Sequence, residues 1–179
     1  MSSRRLFRFD RAFVPALLVA VAAMLAGCSA FGYRLGSTLP PGIKTVHVPT
    51  FINRAGEPQL DTLATRATVE ELQKDGVLKV AATDSADSIL LVTLTDVVLE
   101  PLRYGRQEIK TTEEYRIRLL AVVGFKKART GEPLLDGVKV EGKATFDFIG
   151  DMASSKRRAM PEAARDLARQ VVRTVQEYW

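Results

Sequence analysis

Cys28 is the one thiol in this sequence and His47 the one imidazole. Enzymes that use such groups set them beside partners, and here the partners are missing. His47 lies in a β-branched stretch two residues before Pro49, with no serine or acidic residue at a recognisable spacing. A lone strand histidine of this kind reads as a surface or edge residue. There is no G-x-S-x-G elbow, no P-loop and no H-E-x-x-H. The acidic pairs Glu70-Glu71 and Glu113-Glu114 are neighbours in sequence. Neighbouring side chains point apart on a helix or a strand, so each pair reads as solvated surface. No metal site, no cofactor and no enzymatic activity are expected. Of all these groups, Cys28 alone sits in a context that prescribes chemistry for it.

That context is an N-terminal run. Arg4, Arg5, Arg8 and Arg11 precede an apolar stretch from Ala12 to Leu25, interrupted by Pro15 and followed by Ala26-Gly27-Cys28. A positive start, a short apolar core and small residues at a cut site are the parts of a secretory signal. The core of about 14 residues is shorter than the ~20 a helix needs to span a bilayer. Because the small-residue site ends in cysteine, the segment resembles the bacterial lipoprotein signal. The resemblance implies a signal peptide over 1–27, cleavage between Gly27 and Cys28, and lipid on the Cys28 sulfur and the new N-terminus. Ser29 in the next position favours the outer membrane. Several acyl chains on one residue anchor durably, since each buried CH₂ contributes about 0.8 kcal/mol.

Removing residues 1–27 takes four Arg and one Asp with it, which is three of the five net positive charges. The basic character of the whole chain therefore gives no ground for a nucleic-acid partner. With Cys28 lipidated no disulfide is possible, so stability must come from an ordinary apolar core. Residues 28–42, with Gly32, Gly36, Pro40, Pro41 and Gly42, read as a lipidated tether with room for a short strand at Tyr33-Arg34-Leu35. Residues 43–179 are expected to form a single domain.

Within that domain, residues 43–52 are β-branched and aromatic and read as a strand that Pro49 disturbs. A helix is expected from about Pro58 to Asp75, with Gly76 as its C-cap. Val77 to Ala82 reads as a short strand. A long one runs from Ser88 to about Leu102, where the apolar series changes phase near Thr95-Asp96 and predicts a bulge. The clearest alternation places Tyr115, Ile117, Leu119, Ala121, Val123 and Phe125 on one face of a strand. After a turn at Thr130-Gly131, Val138, Val140, Gly142, Ala144, Phe146 and Phe148 do the same. A final helix is expected over about 155–178, with Met160, Ala163, Ala164, Leu167, Val171, Val175 and Tyr178 as its stripe. Condensed, the expectation is α+β: a two-layer sandwich in the order β-α-β-β-β-α, two helices on one face of a roughly four-stranded sheet. The other face is left to water or to a partner.

The cations fall in groups. Arg103, Arg106 and Lys110 flank one end of a ribbon, and Lys126, Lys127 and Arg129 lie at the far end of the next strand, with Arg116 and Arg118 between them. A strand of about 12 residues is roughly 40 Å long, so these are two clusters joined by a basic row. They read either as a solvated outer face or as contacts for anionic headgroups and phosphates. Lys156-Arg157-Arg158 precedes the last expected helix, the unfavourable end for its macrodipole.

A wider resemblance follows from the run Phe31-Gly32-Tyr33-Arg34-Leu35 soon after Cys28. It continues with Val46-His47-Val48-Pro49-Thr50-Phe51, a helix ending Glu70-Glu71-Leu72-Gln73, then Gly76-Val77-Leu78-Lys79-Val80, and Ala86-Asp87 before the long strand. In element order the chain resembles the LptE family, the lipoprotein half of the outer-membrane lipopolysaccharide translocon. The resemblance implies a lipid-anchored protein on the periplasmic side of the outer membrane that binds a β-barrel partner (LptD-like) and lipopolysaccharide. Candidate lipopolysaccharide contacts, by charge and position, are Arg103, Arg106, Lys126 and Lys127. Two other readings stay open. The first strand, helix and Leu-Lys-Val strand also occur in CsgG-like and LpoB-like lipoproteins, which act in secretion or activate cell-wall synthases. A lipid-binding structural lipoprotein without a fixed partner is the other.

Overall fold

The computed structural model describes residues 39–104 and 112–177. The signal peptide, Gly27 and Cys28, most of the tether including Tyr33-Arg34-Leu35, Arg106, Lys110 and Tyr178 lie outside the described residues. Arg103 is described in its backbone only.

Two short strands come first, β1 (Thr45–His47) and β2 (Ile52–Asn53). Helix α1 (Leu60–Asp75) and the two-residue β3 (Lys79–Val80) follow. Three long strands then meander: β4 (Ser88–Tyr104), β5 (Thr112–Lys127) and β6 (Pro133–Asp147). Helix α2 (Met152–Glu177) ends the described chain. The class is α+β, as expected. Among the described residues the sheet has six strands, ordered β3-β1-β4-β5-β6 with β2 also on β4, so the roughly four strands in the order β-α-β-β-β-α were too few. Pro49 is one reason. It cannot donate to a ladder, and the 43–52 segment breaks there into β1 and β2, each parallel to β4. The segment Val77 to Ala82, read as a short strand, holds β3, which pairs in parallel with β1 and closes a β-α-β crossover through α1.

The core is the helix-side face of the sheet. Ile117, Leu119, Ala121, Val123 and Phe125 of β5 are all buried, and so are Leu90, Val92 and Leu94 of β4. The predicted bulge is present: Leu94 faces Ala121 and Asp96 faces Leu120, leaving Thr95 as the extra residue. Helix α1 brings Leu60, Ala64 and Leu72, and α2 brings Met160, Ala163, Ala164, Leu167, Val171 and Val175. The two helices pack on each other, and α2 lies across β6 and β5. Gly142 of β6 lies tight against it. A Cβ there would stand 2.3 Å from the Leu167 amide nitrogen and 2.5 Å from the Ala163 carbonyl oxygen.

Helix ends follow their local chemistry. Gly76 takes φ 76° and donates to the Leu72 carbonyl at 3.0 Å, the expected C-cap. Helix α1 starts at Leu60, two residues beyond Pro58, after Gln59 adopts a left-handed φ of 61°. Helix α2 starts at Met152, three residues before the expected point. Asp151 caps it by accepting from the Ser154 amide at 2.8 Å, and this bond with the Ser154 hydroxyl holds its carboxyl below the ordinary value.

Candidate lipid and partner surface

The strand β1 is fastened through a side chain. One carboxylate oxygen of Asp87 accepts from the Lys44 amide at 3.0 Å, the Thr45 amide at 3.0 Å and the Thr45 hydroxyl at 2.8 Å. The Ser88 hydroxyl donates to the Thr45 carbonyl at 2.8 Å. Those bonds, led by the Lys44 amide and the Thr45 hydroxyl, lower the Asp87 carboxyl from its ordinary value. Ala86-Asp87, singled out in the sequence only as the lead-in to a strand, thus fixes where the N-terminal segment joins the sheet.

His47 is also held. Its Nδ1 lies 3.3 Å from the Ala81 carbonyl and its Nε2 3.0 Å from the Thr83 hydroxyl. It braces β1 against the turn after β3. Among the described residues no group of three or more His, Cys, Asp and Glu gathers into a metal-binding cluster.

The face of the sheet turned away from the helices carries the basic row, and the structure gives it partners. Arg118 reaches Glu100 at 2.6 Å and Glu141 at 2.6 Å, and Glu141 also meets Lys143 at 2.5 Å. The four lie on three adjacent strands. Glu100, then Glu141, pushes the Arg118 guanidinium above its ordinary value. Lys143, then Arg118, holds Glu141 below its own. Sequence alternation placed Arg118 on this face but could not show that glutamates of β4 and β6 would flank it, because their registers were unknown. The row is thus largely self-neutralised. Beside it Leu91, 40% exposed, and the half-buried Leu120 and Val122 make the same face partly apolar.

Of the four candidate cations, the structure describes the side chains of Lys126 and Lys127. They project to opposite faces at one end of β5, where Lys127 pairs with Glu132 at 2.8 Å. Lys126 makes no ion pair among the described residues. Arg103 faces Glu114 at the other end of the same strand. Twelve residues of strand separate Glu114 from Lys126, roughly 40 Å. The structure therefore does not bring Arg103 together with Lys126 and Lys127. The basic triplet Lys156-Arg157-Arg158 is inside α2, not before it. Lys156 pairs with Glu57 ahead of α1, Arg157 bonds Ser154 at 3.3 Å, and Arg158 bonds Ser155 at 3.1 Å. Lys156 thus ties α2 to the segment before α1, while Arg157 and Arg158 bond within their own helix.

A further cleft of about 780 Å³ opens between the start of α1 and the second and third turns of α2, lined by Pro58, Leu63, Met160 and Pro161 with Arg66 and Arg157. No helix among the described residues is long and apolar enough to cross a membrane.

Comparison with known proteins adds the identity. Among solved structures, the chain is similar to an uncharacterised lipoprotein B from Nitrosomonas europaea, with a TM-score of 0.53 at 12% identity over 80% of this chain and 92% of that one. It is also similar to the hypothetical protein CT253 from Chlamydia trachomatis, with a TM-score of 0.50 at 10% identity over 76% and 97%. At such identities the likeness speaks for the fold alone. No curated protein matches the chain in sequence. The sequence model of the family described as LptE, lipopolysaccharide-assembly, matches residues 43–175, and the chain belongs to the LptE family.

Proposed function

We propose that the protein is an outer-membrane lipoprotein, anchored through Cys28, that assists lipopolysaccharide assembly by binding both an LptD-like β-barrel and lipopolysaccharide. The family match over residues 43–175 is the observation that carries this reading. In it, residues 1–27 are the signal peptide, 28–42 the tether and 43–179 the working domain. The fold supports the reading physically. One face of the sheet is covered by helices; the other is partly apolar and self-neutralised, which suits burial against a large partner. Lys126 and Lys127 at one end of the long strands, and Arg103 with the neighbouring sequence candidate Arg106 for the other, are the cations that would meet anionic sugar-phosphate headgroups. Binding and shape suffice for this role, and no enzymatic step is assigned. The family match favours it over secretion and over activation of a cell-wall synthase.

The test is recovery of the intact, tagged protein from outer membranes in mild detergent. A stoichiometric β-barrel partner and retained lipopolysaccharide are expected. A cell-wall synthase in their place would overturn the proposal. In the same cells Cys28→Ser should leave an unprocessed form absent from the outer-membrane fraction, because a hydroxyl cannot stand in for the thiol that takes the lipid. Normal fractionation of that variant would remove the anchor from the reading.

A further inference from the structure

Strand β4 has two edges, and they are treated differently. Its inner edge pairs with β5 along the whole length, from Ser88 opposite Lys127 to Tyr104 opposite Thr112. Its outer edge is covered only near its start, where β1 meets Ser88 and Ile89 and β2 meets Thr93 and Leu94. Past Leu94 no described strand lies beside it. A free strand edge is a template for another chain. This one carries Val97-Val98-Leu99, a run of high β-propensity, with Leu102 exposed just beyond.

Backbone groups along a strand point alternately to its two edges. The Leu94 carbonyl points outward, since it accepts from the Arg54 amide at 2.8 Å. The extra residue Thr95 shifts the alternation by one, so that Val97, Leu99 and Pro101 face outward after it. The register agrees: these three lie opposite Leu119, Ile117 and Tyr115, the series to which Ala121 opposite Leu94 belongs. Two of the three outward donors are gone. The Val97 amide donates to Asp96 Oδ1 at 2.8 Å, and Pro101 has no amide hydrogen. Leu99 alone keeps an outward N–H to offer, and Glu100 adds charge beside it.

We propose that the half of β4 past Leu94, beside which no described strand lies, is an edge disarmed by Asp96 and Pro101, so that the long β4–β5 ribbon does not capture a strand from a second copy of the chain. A strand approaching here meets one donor where register needs three, next to a carboxylate that would lose water on pairing. The device is independent of the function proposed above.

The test substitutes Asp96→Thr with Pro101→Thr in the full-length chain, kept in detergent for its apolar N-terminal run. Sedimentation, with an infrared reading of intermolecular strand pairing, is compared with wild type and with Asp84→Thr, which removes one negative charge at an exposed turn. Self-association of the double variant should set in at a concentration at least tenfold below that of wild type, while Asp84→Thr behaves as wild type. Adding Val98→Lys puts a charge back on this stretch without restoring either guard and should reverse the effect. Wild-type association in the double variant, with unchanged circular dichroism, overturns the proposal. So does association that Val98→Lys fails to reverse, or that Asp84→Thr shares. Should the double variant fail to fold, Pro101→Thr alone is read by the same criteria.

Discussion

Asp87 and Arg118 show how much one side chain can organise without being buried. The Asp87 carboxylate binds two amides and a hydroxyl at the point where the N-terminal segment joins the sheet. Its carboxyl is lowered in the folded protein, so its contribution to stability is complete above the ordinary aspartate value of about 3.9. That contribution fades as pH falls below this value and through the lower folded one. Asp87→Ala should therefore melt below wild type at pH 7, and the gap should narrow as pH is taken below about 4. A gap that stays constant through that range would show that the charge is not what holds β1. Arg118 and Leu119 give the second prediction. Leu119 is 0% exposed, and an unpaired carboxylate in its place costs several kcal/mol, a large share of a typical ~5–15 kcal/mol. Leu119→Asp should unfold the domain. Arg118→Asp should leave it folded but less stable than Arg118→Ala, because it sets a third carboxylate beside Glu100 and Glu141. Urea unfolding of the three variants checks that order. Equal stability of Leu119→Asp and Arg118→Asp would contradict the strand register. The alternation of β5 was plain in the sequence, since period two is a local property. The flanking of Arg118 was not, because it depends on the registers of three strands at once.

At the scale of elements, α2 and β6 meet over Gly142, and this contact limits how far the helix can settle onto the sheet. The groups nearest a Cβ there are backbone atoms of α2, which cannot turn aside as the end of a side chain could. Gly142→Ala should therefore push the helix off the strand and destabilise by about 1–3 kcal/mol, the usual cost of overpacking. Chemical denaturation measures it directly. Gly131, at φ 72° in the turn with nothing near its missing Cβ, is the comparison site. Gly131→Ala should cost backbone strain alone and leave the near-ultraviolet signature of the core unchanged. If Gly142→Ala proves as stable as wild type, α2 does not sit where the structure has it. Sequence pattern put Gly142 on the apolar face of its strand but gave no reason for glycine there, because the reason lies in another element 25 residues later. The start of α2 shows the converse. Asp151 with Ser154 was a readable capping pair, yet the apolar stripe begins only at Met160, and the helix was expected from about Ser155. In the first strand segment, Pro49 announced an interruption; that both halves would pair with β4 required the tertiary fold.

For the whole molecule, the consequence of the sheet's length is that its two basic ends are separate. Arg103 faces Glu114 at one end of β5, and Lys126 and Lys127 lie roughly 40 Å away at the other. Charges that far apart do not couple in physiological salt, where screening acts beyond about 8 Å. If both ends bind lipopolysaccharide, they do so as independent contacts. The pair Arg103→Gln with Arg106→Gln, and the pair Lys126→Gln with Lys127→Gln, should then each weaken binding at one end and leave the affinity of the other end unchanged, and the quadruple variant should weaken both. Within the second pair, Lys126→Gln should carry more of the loss than Lys127→Gln, because Lys127 is already engaged by Glu132. Affinity of the wild type should fall as salt is raised, and less steeply in each variant. Association with the barrel should persist throughout, since the face proposed for burial against it lies between the two ends. Binding to purified lipopolysaccharide at several salt concentrations decides the matter. A single binding event that each pair weakens on its own, with the two losses multiplying in the quadruple variant, would mean that one ligand spans the sheet. No loss in any variant, with the fold intact, would return these cations to a merely solvated surface.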